Sequence, residues 1–120
     1  MSLTMSVSVM AHPRREAFVP GLLSSLDRPA KVVWDERNDR WDTGARAMRA
    51  YDPSCSHHLV IQDDAIVCRD LVAGLEEALA YVPEPDRTPV CLYIGRGKPF
   101  QYSMAQATTV AERDRASWVR

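Results

Sequence analysis

The length and composition of the chain are those of one globular domain. Hydrophobic residues make up 46% of the 120 residues and charged residues 26%, which excludes a disordered or fibrous protein. The net charge of −1 is spread along the chain and provides no basic surface for nucleic acid or for an anionic membrane. We therefore treat residues 1–120 as a single domain and expect no nucleic-acid partner.

Nothing in the sequence indicates a membrane span or a signal peptide, because no apolar run approaches the roughly 20 residues a span requires. The three cysteines form no Cys-x-x-Cys pair, which argues against a disulfide framework and a Cys-rich zinc site. We expect reduced thiols and a cytoplasmic location. Residues 1–4 precede a second methionine, Met5, and could be an expression scar.

Short apolar runs alternate with helical patterns in the first part of the chain. A strand is predicted over residues 6–11, since Pro13 prevents its continuation. A helix is predicted over 15–26, and a second strand over 31–34 stops at Asp35. The helix carries apolar residues three and four positions apart, on one face. These are Phe18, Leu22, Leu23 and Leu26.

The next helix is predicted to begin at Thr43 as its N-cap, with three side chains facing inward. These are Ala45, Met48 and Tyr51. The strongest strand signal is the buried run 59–61, which is followed by two adjacent aspartates. Asp70 is then the predicted cap of a helix that reaches Val82. A turn-rich connection over 83–89, a strand over 90–94 and an ambiguous helix over 104–118 complete the pattern.

This alternation predicts an α/β fold with a mostly parallel sheet and helices on both faces. Ligands of such folds bind beyond the carboxyl ends of the strands. Polar residues fall at several of these ends: His12, Asp35, Asp63 and Asp64. His57 and His58 are a weaker candidate for a metal site, because neighbouring strand residues point to opposite faces.

The adjacent carboxylates Asp63 and Asp64 repel each other at the end of a buried strand, so the arrangement requires compensation. A divalent cation, a ribose hydroxyl or backbone N–H groups would each provide it. Mg²⁺ or Mn²⁺ prefers oxygen ligands and can bridge a carboxylate to a diphosphate. The alternative is that one aspartate caps a turn while the other is solvated.

The run from His58 to Val67, with Gln62-Asp63-Asp64 at its centre, and the following residues to Leu79 resemble a known motif. It is the Glu-Asp-Asp region of glycosyltransferases related to lipooligosaccharide galactosyltransferases, and more loosely that of other GT-A enzymes. The resemblance implies a truncated, Rossmann-like, nucleotide-diphospho-sugar transferase fold. It implies Mn²⁺ or Mg²⁺ on Asp64 and the nucleoside near Asp63 and Asp35.

Basic residues after the first strand complete the predicted site. The resemblance places the backbone around His12 in the nucleotide cradle. Arg14 and its neighbour Arg15 could pair with a diphosphate, although solvated arginines at a helix start are an equal alternative.

The sequence departs from the family pattern in two ways. Gln62 replaces the first acid of the motif, and the chain stops where the acceptor-binding half would begin. The first hypothesis is therefore a glycosyltransferase that transfers a sugar from a nucleotide-diphosphate donor to an acceptor hydroxyl. The second is a catalytically inactive GT-A-like module that binds a partner or forms a homodimer.

Overall fold

The computed structural model describes residues 3–92 and Gln106. The chain divides into two compact units, Met1–Ala80 and Tyr81–Arg120. Strands and helices alternate in the first unit, where a 3₁₀ helix, Pro13–Phe18, precedes the first α-helix. In chain order the elements are β1 (Met5–Ala11), α1 (Val19–Ser25), β2 (Lys31–Trp34), α2 (Arg40–Arg49), β3 (His57–Gln62) and α3 (Leu71–Leu79).

The three described strands form a parallel sheet in the order β2-β1-β3, which confirms the predicted α/β class and parallel sheet. Val9 in the central strand pairs with Val32 on one side and Ile61 on the other. The chain leaves β1 toward one edge of the sheet and later crosses to the opposite edge. The direction of winding therefore reverses between β1 and β3, and in α/β sheets ligands bind outside the carboxyl ends of the strands at such a reversal.

The two faces of β1 differ in chemistry because successive side chains alternate. Val7 and Val9 are almost completely buried on one face. Ser8 is equally buried on the other face, which contacts α2. Since β-α-β crossovers are right-handed, connections that run in opposite directions across the sheet place α1 and α2 on opposite faces.

The imidazole of His58 connects β1, β3 and α2. Its Nε2 lies 2.8 Å from the carbonyl oxygen of Ala47 and 3.1 Å from Ser8 Oγ, and its Nδ1 lies 2.7 Å from Ser6 Oγ. A carbonyl oxygen only accepts, so Nε2 bears a hydrogen, and in the neutral ring Nδ1 accepts from the Ser6 hydroxyl. This network explains why two serines occupy the central strand.

Helix α2 begins earlier than predicted and presents a different face to the sheet. Asp39, not Thr43, is the N-cap, because its Oδ1 accepts the N–H of Trp41 at 2.9 Å. Thr43 and Ala47 are the buried residues of the helix. The inward positions predicted for Met48 and Tyr51 are wrong, since these side chains are 65% and 54% exposed.

Small residues on the inner face of α2 give the physical reason for this difference. A Cβ on Gly44 would lie 3.5 Å from Cε of Met10, so the helix already packs closely on β1 at this position. Ala47 places its carbonyl oxygen within hydrogen-bond distance of His58. The larger apolar side chains therefore remain on the outside.

Helix α1 is shorter than the predicted 15–26 span. Arg15 has non-helical dihedral angles, and the α-helix begins only at Val19, with Pro20 in its first turn. Of the predicted apolar face, Leu22 and Leu26 are buried, whereas Phe18 and Leu23 are exposed. A proline in the first turn has no N–H to leave unpaired, which explains why the helix begins there.

Helix α3 is capped by a residue distant in sequence. The predicted cap, Asp70, has a left-handed φ of 56° and makes no side-chain cap hydrogen bond. The Asp27 carboxylate instead accepts the N–H groups of Val72 and Ala73, both at 2.9 Å. These two hydrogen bonds, the one from Ala73 first, lower the pKa of Asp27.

The neighbouring Arg28 binds the same helix one turn later. Its guanidinium forms a two-point ion pair with the carboxylate of Glu76, with Nη1 3.0 Å from Oε2. The same Oε2 accepts the Met5 N–H at 3.0 Å, so Glu76 also contacts the start of β1. The hydrogen bond from Arg28 is the main reason that the pKa of Glu76 is lowered.

In the second unit, residues 81–92 are irregular, and the predicted turn-rich connection over 83–89 is confirmed. Thr88 Oγ1 donates to the Pro83 carbonyl at 2.8 Å. Residues 90–92 of the predicted strand 90–94 adopt no strand, and the rest of that strand lies outside the described residues. The predicted helix over 104–118 also lies outside them, except for Gln106, which is helical. Within the described part of the chain, no helix has the length and hydropathy to cross a bilayer.

Replacing Glu76 with Gln should lower the free energy of unfolding by about 1.5 kcal/mol at neutral pH, because hydrogen bonds to charged groups contribute roughly 1.5–3 kcal/mol and the Arg28 side chain is partly exposed. Since the pKa of Glu76 is lowered, its contribution is present above the ordinary value of 4.5 and is lost as the pH falls through the folded value. Urea unfolding at several pH values should therefore show the variant approaching the wild type in acid.

The control is Glu77→Gln, the same change at the next, exposed position of α3. We expect it to leave stability nearly unchanged at every pH. Equal losses in the two variants would contradict a specific role for the Arg28 ion pair.

Candidate functional site

Asp63 lies at the centre of the carboxyl edge, immediately after β3, and is 1% exposed. Its Oδ2 accepts the backbone N–H of His12 at 2.8 Å, and its Oδ1 accepts from Nε of Arg15 at 2.7 Å. The Asp63 N–H donates to the carbonyl oxygen of Met10 at 3.0 Å. Asp63 therefore joins the carboxyl ends of β1 and β3 at the point where the winding reverses.

The adjacent aspartates occupy opposite environments. An arginine and a backbone N–H compensate the buried charge of Asp63, as a buried carboxylate requires. Asp64 is exposed, and it has no hydrogen-bond or ion-pair partner among the described residues. The structure thus separates the pair into one internal carboxylate and one that is available to a ligand.

The ring of His12 connects the loop after β1 to the loop after β2. Its Nδ1 accepts the N–H of Arg14 at 3.1 Å, so in the neutral ring the hydrogen is on Nε2, which lies 3.2 Å from Oδ1 of Asn38. Asn38 has a φ of 53°, a left-handed conformation that asparagine tolerates better than most residues. The ring is thereby oriented from both of its nitrogens.

Asp35 lies directly after β2, on the same edge of the sheet. Its N–H donates to the carbonyl oxygen of Ala11 at 2.7 Å, and its Oδ1 accepts the N–H of Arg37 at 3.1 Å. Partial burial acts to raise the pKa of Asp35, but the Thr43 hydroxyl and three N–H groups of the following loop outweigh it. The net pKa lies below the ordinary value, so Asp35 is a carboxylate acceptor at neutral pH.

A pocket of about 490 Å³ lies between α1 and the loop after β3. Its walls are mostly apolar. The residues that line it are Ala17, Phe18, Gly21, Leu22, Ser25, Asp63, Asp64, Ala65, Ile66 and Val67. Neither His12 nor Asp35 lines this pocket, so the carboxyl edge has two parts. One is the pocket with Asp64 at its wall, and the other is a polar cluster of His12, Asn38 and Asp35.

The two arginines after β1 behave differently. Arg14 has an exposed side chain, in keeping with either of the alternatives considered for it. Arg15, which sequence reasoning paired with Arg14 as a diphosphate ligand, binds Asp63 instead, although 46% of its side chain is exposed. Asn38 was absent from the predicted site. Its position in a polar loop after a strand that ends in Asp35 is the signal that could have suggested it.

Few of the described side chains at the carboxyl edge are suited to binding a metal ion. No group of three or more His, Cys, Asp or Glu residues among the described residues could bind a metal ion together. Of the two adjacent aspartates, Asp64 is the one whose carboxylate has no partner among the described residues. This fits Mg²⁺ or Mn²⁺ of the kind that uses one or two carboxylates together with substrate phosphates and water, and it does not fit a metal site built from protein ligands alone.

No family model matches the chain, and comparisons with curated proteins and with solved structures give no significant match. Function is therefore inferred from the geometry of the carboxyl edge and from the resemblance of residues 58–79. Fold analogy alone does not establish an activity, because function resides in the site.

Alanine at Asp63 should lower the free energy of unfolding by about 2–3 kcal/mol, because it leaves the His12 N–H and the Arg15 side chain without their acceptor. Alanine at Asp64 should change it by less than about 0.5 kcal/mol, as for other exposed positions. Urea unfolding of the two variants provides the comparison. Similar losses in both would contradict the division of roles between the two aspartates.

Proposed function

We propose that the carboxyl edge binds a nucleotide-diphosphate sugar and that the protein transfers the sugar to an acceptor hydroxyl. One observation carries the proposal. The buried carboxylate of Asp63 holds the turn after β3, and the exposed Asp64, which has no partner among the described residues, lines the pocket at the carboxyl end of that strand. Sheets of this winding bind nucleotides outside the carboxyl ends of the strands where the winding reverses. The Glu-Asp-Asp-like motif supports the same assignment.

The polar cluster supplies the nucleoside end of the proposed site. Asp35 is ionised at neutral pH and can accept from an N–H of the base or a hydroxyl of the ribose. His12 offers a ring that is already oriented by Asn38. The exposed guanidinium of Arg14 can bind phosphate oxygens as a charged, two-point donor.

Asp64 would bind Mn²⁺ or Mg²⁺, and the bound ion would stabilise the negative charge that develops on the leaving diphosphate. In the transfer, the acceptor oxygen forms a bond to the anomeric carbon as the bond from that carbon to the diphosphate oxygen breaks. The nucleotide diphosphate leaves with the electron pair, and the acceptor hydroxyl loses its proton to water.

Asp63 has a different role in this proposal from the nucleoside contact that the resemblance implies. Both of its oxygens already accept hydrogen bonds within the protein, and the residue is buried. We therefore assign it as a positioning residue that connects the loop after β1 to the loop after β3. Any contact with the ribose would use the remaining lone pairs of the same oxygens.

A binding module without catalytic activity is the second candidate, and a specific observation favours it. The guanidinium of Arg15 neutralises Asp63 from within the chain, so this carboxylate does not require a cation to compensate its charge. Gln62, an exposed amide, also stands where the family has an acid that can bind a metal. A module of this kind would bind a partner or a second copy of the chain.

Calorimetric titration with UDP and GDP, each with and without Mn²⁺, tests the proposal. We expect one nucleotide to bind in a manner that depends on Mn²⁺. Asp64→Asn should weaken this binding by at least about tenfold, equivalent to about 1.4 kcal/mol, because it removes the proposed metal ligand. Asp35→Asn should weaken binding with and without the metal, because it acts at the nucleoside.

Asp86→Asn is the matched control, since it makes the same change at an exposed aspartate of the second unit. It should leave nucleotide affinity unchanged. Absence of heat with both nucleotides, or equal effects of Asp64→Asn and Asp86→Asn, would refute the donor site and leave the binding-module alternative.

A further inference from the structure

The pocket beside Asp64 is lined mostly by apolar groups. Phe18, which is 56% exposed, and the fully exposed Ile66 are among its lining residues, and Leu22 is a buried one. Its volume of about 490 Å³ lies within the range of small-molecule sites, which are mostly apolar with few polar groups. Exposed apolar side chains beside a concave surface favour a ligand with an apolar body.

Apart from those of Asp64, the side-chain polar atoms that line the pocket are engaged within the protein. Both oxygens of Asp63 accept hydrogen bonds from His12 and Arg15. The Ser25 hydroxyl donates to the carbonyl oxygen of Gly21 at 2.9 Å. Among the side chains that line the pocket, Asp64 therefore has the free acceptor oxygens. A ligand with many hydroxyl groups would find few free side-chain partners on these walls, and unpaired polar groups are costly.

We infer that the pocket binds the acceptor, and that the acceptor is an apolar alcohol: an aryl or alkyl body with a single hydroxyl on the side of Asp64. This inference rests on the proposed function, because that function places the metal and the leaving diphosphate at Asp64. The apolar walls then select the acceptor body, while Asp64 lies where the reacting groups meet. A sugar acceptor would match these walls poorly.

Gly21 provides a direct way to fill the pocket. It lines the pocket on α1, and a Cβ added there would meet no atom within 4 Å. A leucine side chain at this position therefore projects into open space and occupies volume that the acceptor requires. The matched control is Gly74, a glycine of α3 that also has nothing within 4 Å of an added Cβ and does not line the pocket.

Naphthol serves as the probe for an aryl alcohol, and methyl glucoside as the comparison with many hydroxyls. Binding to the full chain is measured by the shifts of amide NMR signals during titration. We expect naphthol to shift the signals of Ala17, Gly21 and Ala65 and to bind more tightly than methyl glucoside. Gly21→Leu should weaken naphthol binding by at least about tenfold, whereas Gly74→Leu should change it by less than about twofold.

Equal naphthol affinity in the two leucine variants would overturn the inference, as would tighter binding of methyl glucoside. The amide signals of each variant, recorded without ligand, show whether it is folded. If Gly21→Leu fails to fold, Gly21→Ala with a proportionally smaller loss of affinity replaces it.

Failure of the inferred acceptor pocket and failure of the proposed nucleotide-sugar site give different experimental results. Nucleotide binding is measured with UDP or GDP and Mn²⁺, in the absence of naphthol. Loss of nucleotide binding with naphthol binding intact would refute the donor site and the acceptor role while leaving an apolar ligand site. Nucleotide binding without naphthol binding would refute only the acceptor class inferred here.

Discussion

The structure depends above all on one buried carboxylate at the edge of the sheet. The first N–H beyond the central strand, that of His12, has no partner in the ladder, and Asp63 supplies the acceptor. Arg15 neutralises the charge that this acceptor brings into the interior. The internal position of Asp63 also leaves its neighbour Asp64 on the outside. One interaction therefore connects two loops, completes the hydrogen bonding of the edge and exposes the group on which the proposed function depends.

The helices are attached to the sheet by polar contacts as well as by their apolar faces. The core residues are mainly valines, leucines and alanines, whose burial is favourable but not directional. Hydrogen bonds add direction: the Asp27 carboxylate determines where α3 begins, and Arg28 binds Glu76 one turn later. His58 performs the same role for α2. Three described strands provide only a small apolar core, which specifies the positions of the helices weakly. The polar contacts specify these positions more closely.

The sequence predicted the strands better than the helix ends. β1, β2 and β3 are short apolar runs bounded by proline or aspartate, so local pattern was sufficient. The cap of α3 could not be read locally because Asp27 is distant in sequence, and the inner face of α2 follows small residues such as Ala47, not large apolar ones. For the site, the position of Asp63 and Asp64 directly after an apolar run was enough to predict that they lie at the edge of the sheet. The sequence could not show which of the two is buried, because the Arg15 contact with Asp63 is formed only in the folded chain.

The order of the strands has a consequence for how the protein is made. β1 is the central strand and is synthesised first, yet its pairing with β3 is complete only when residues Met5 to Met10 meet His57 to Gln62. Until then β1 can pair only with β2. The backbone N–H and C=O groups on its other edge remain unpaired. Such contacts between distant segments form slowly, and unpaired edges attract other chains. The central strand of the described sheet is thus the one that waits longest for its second partner during synthesis.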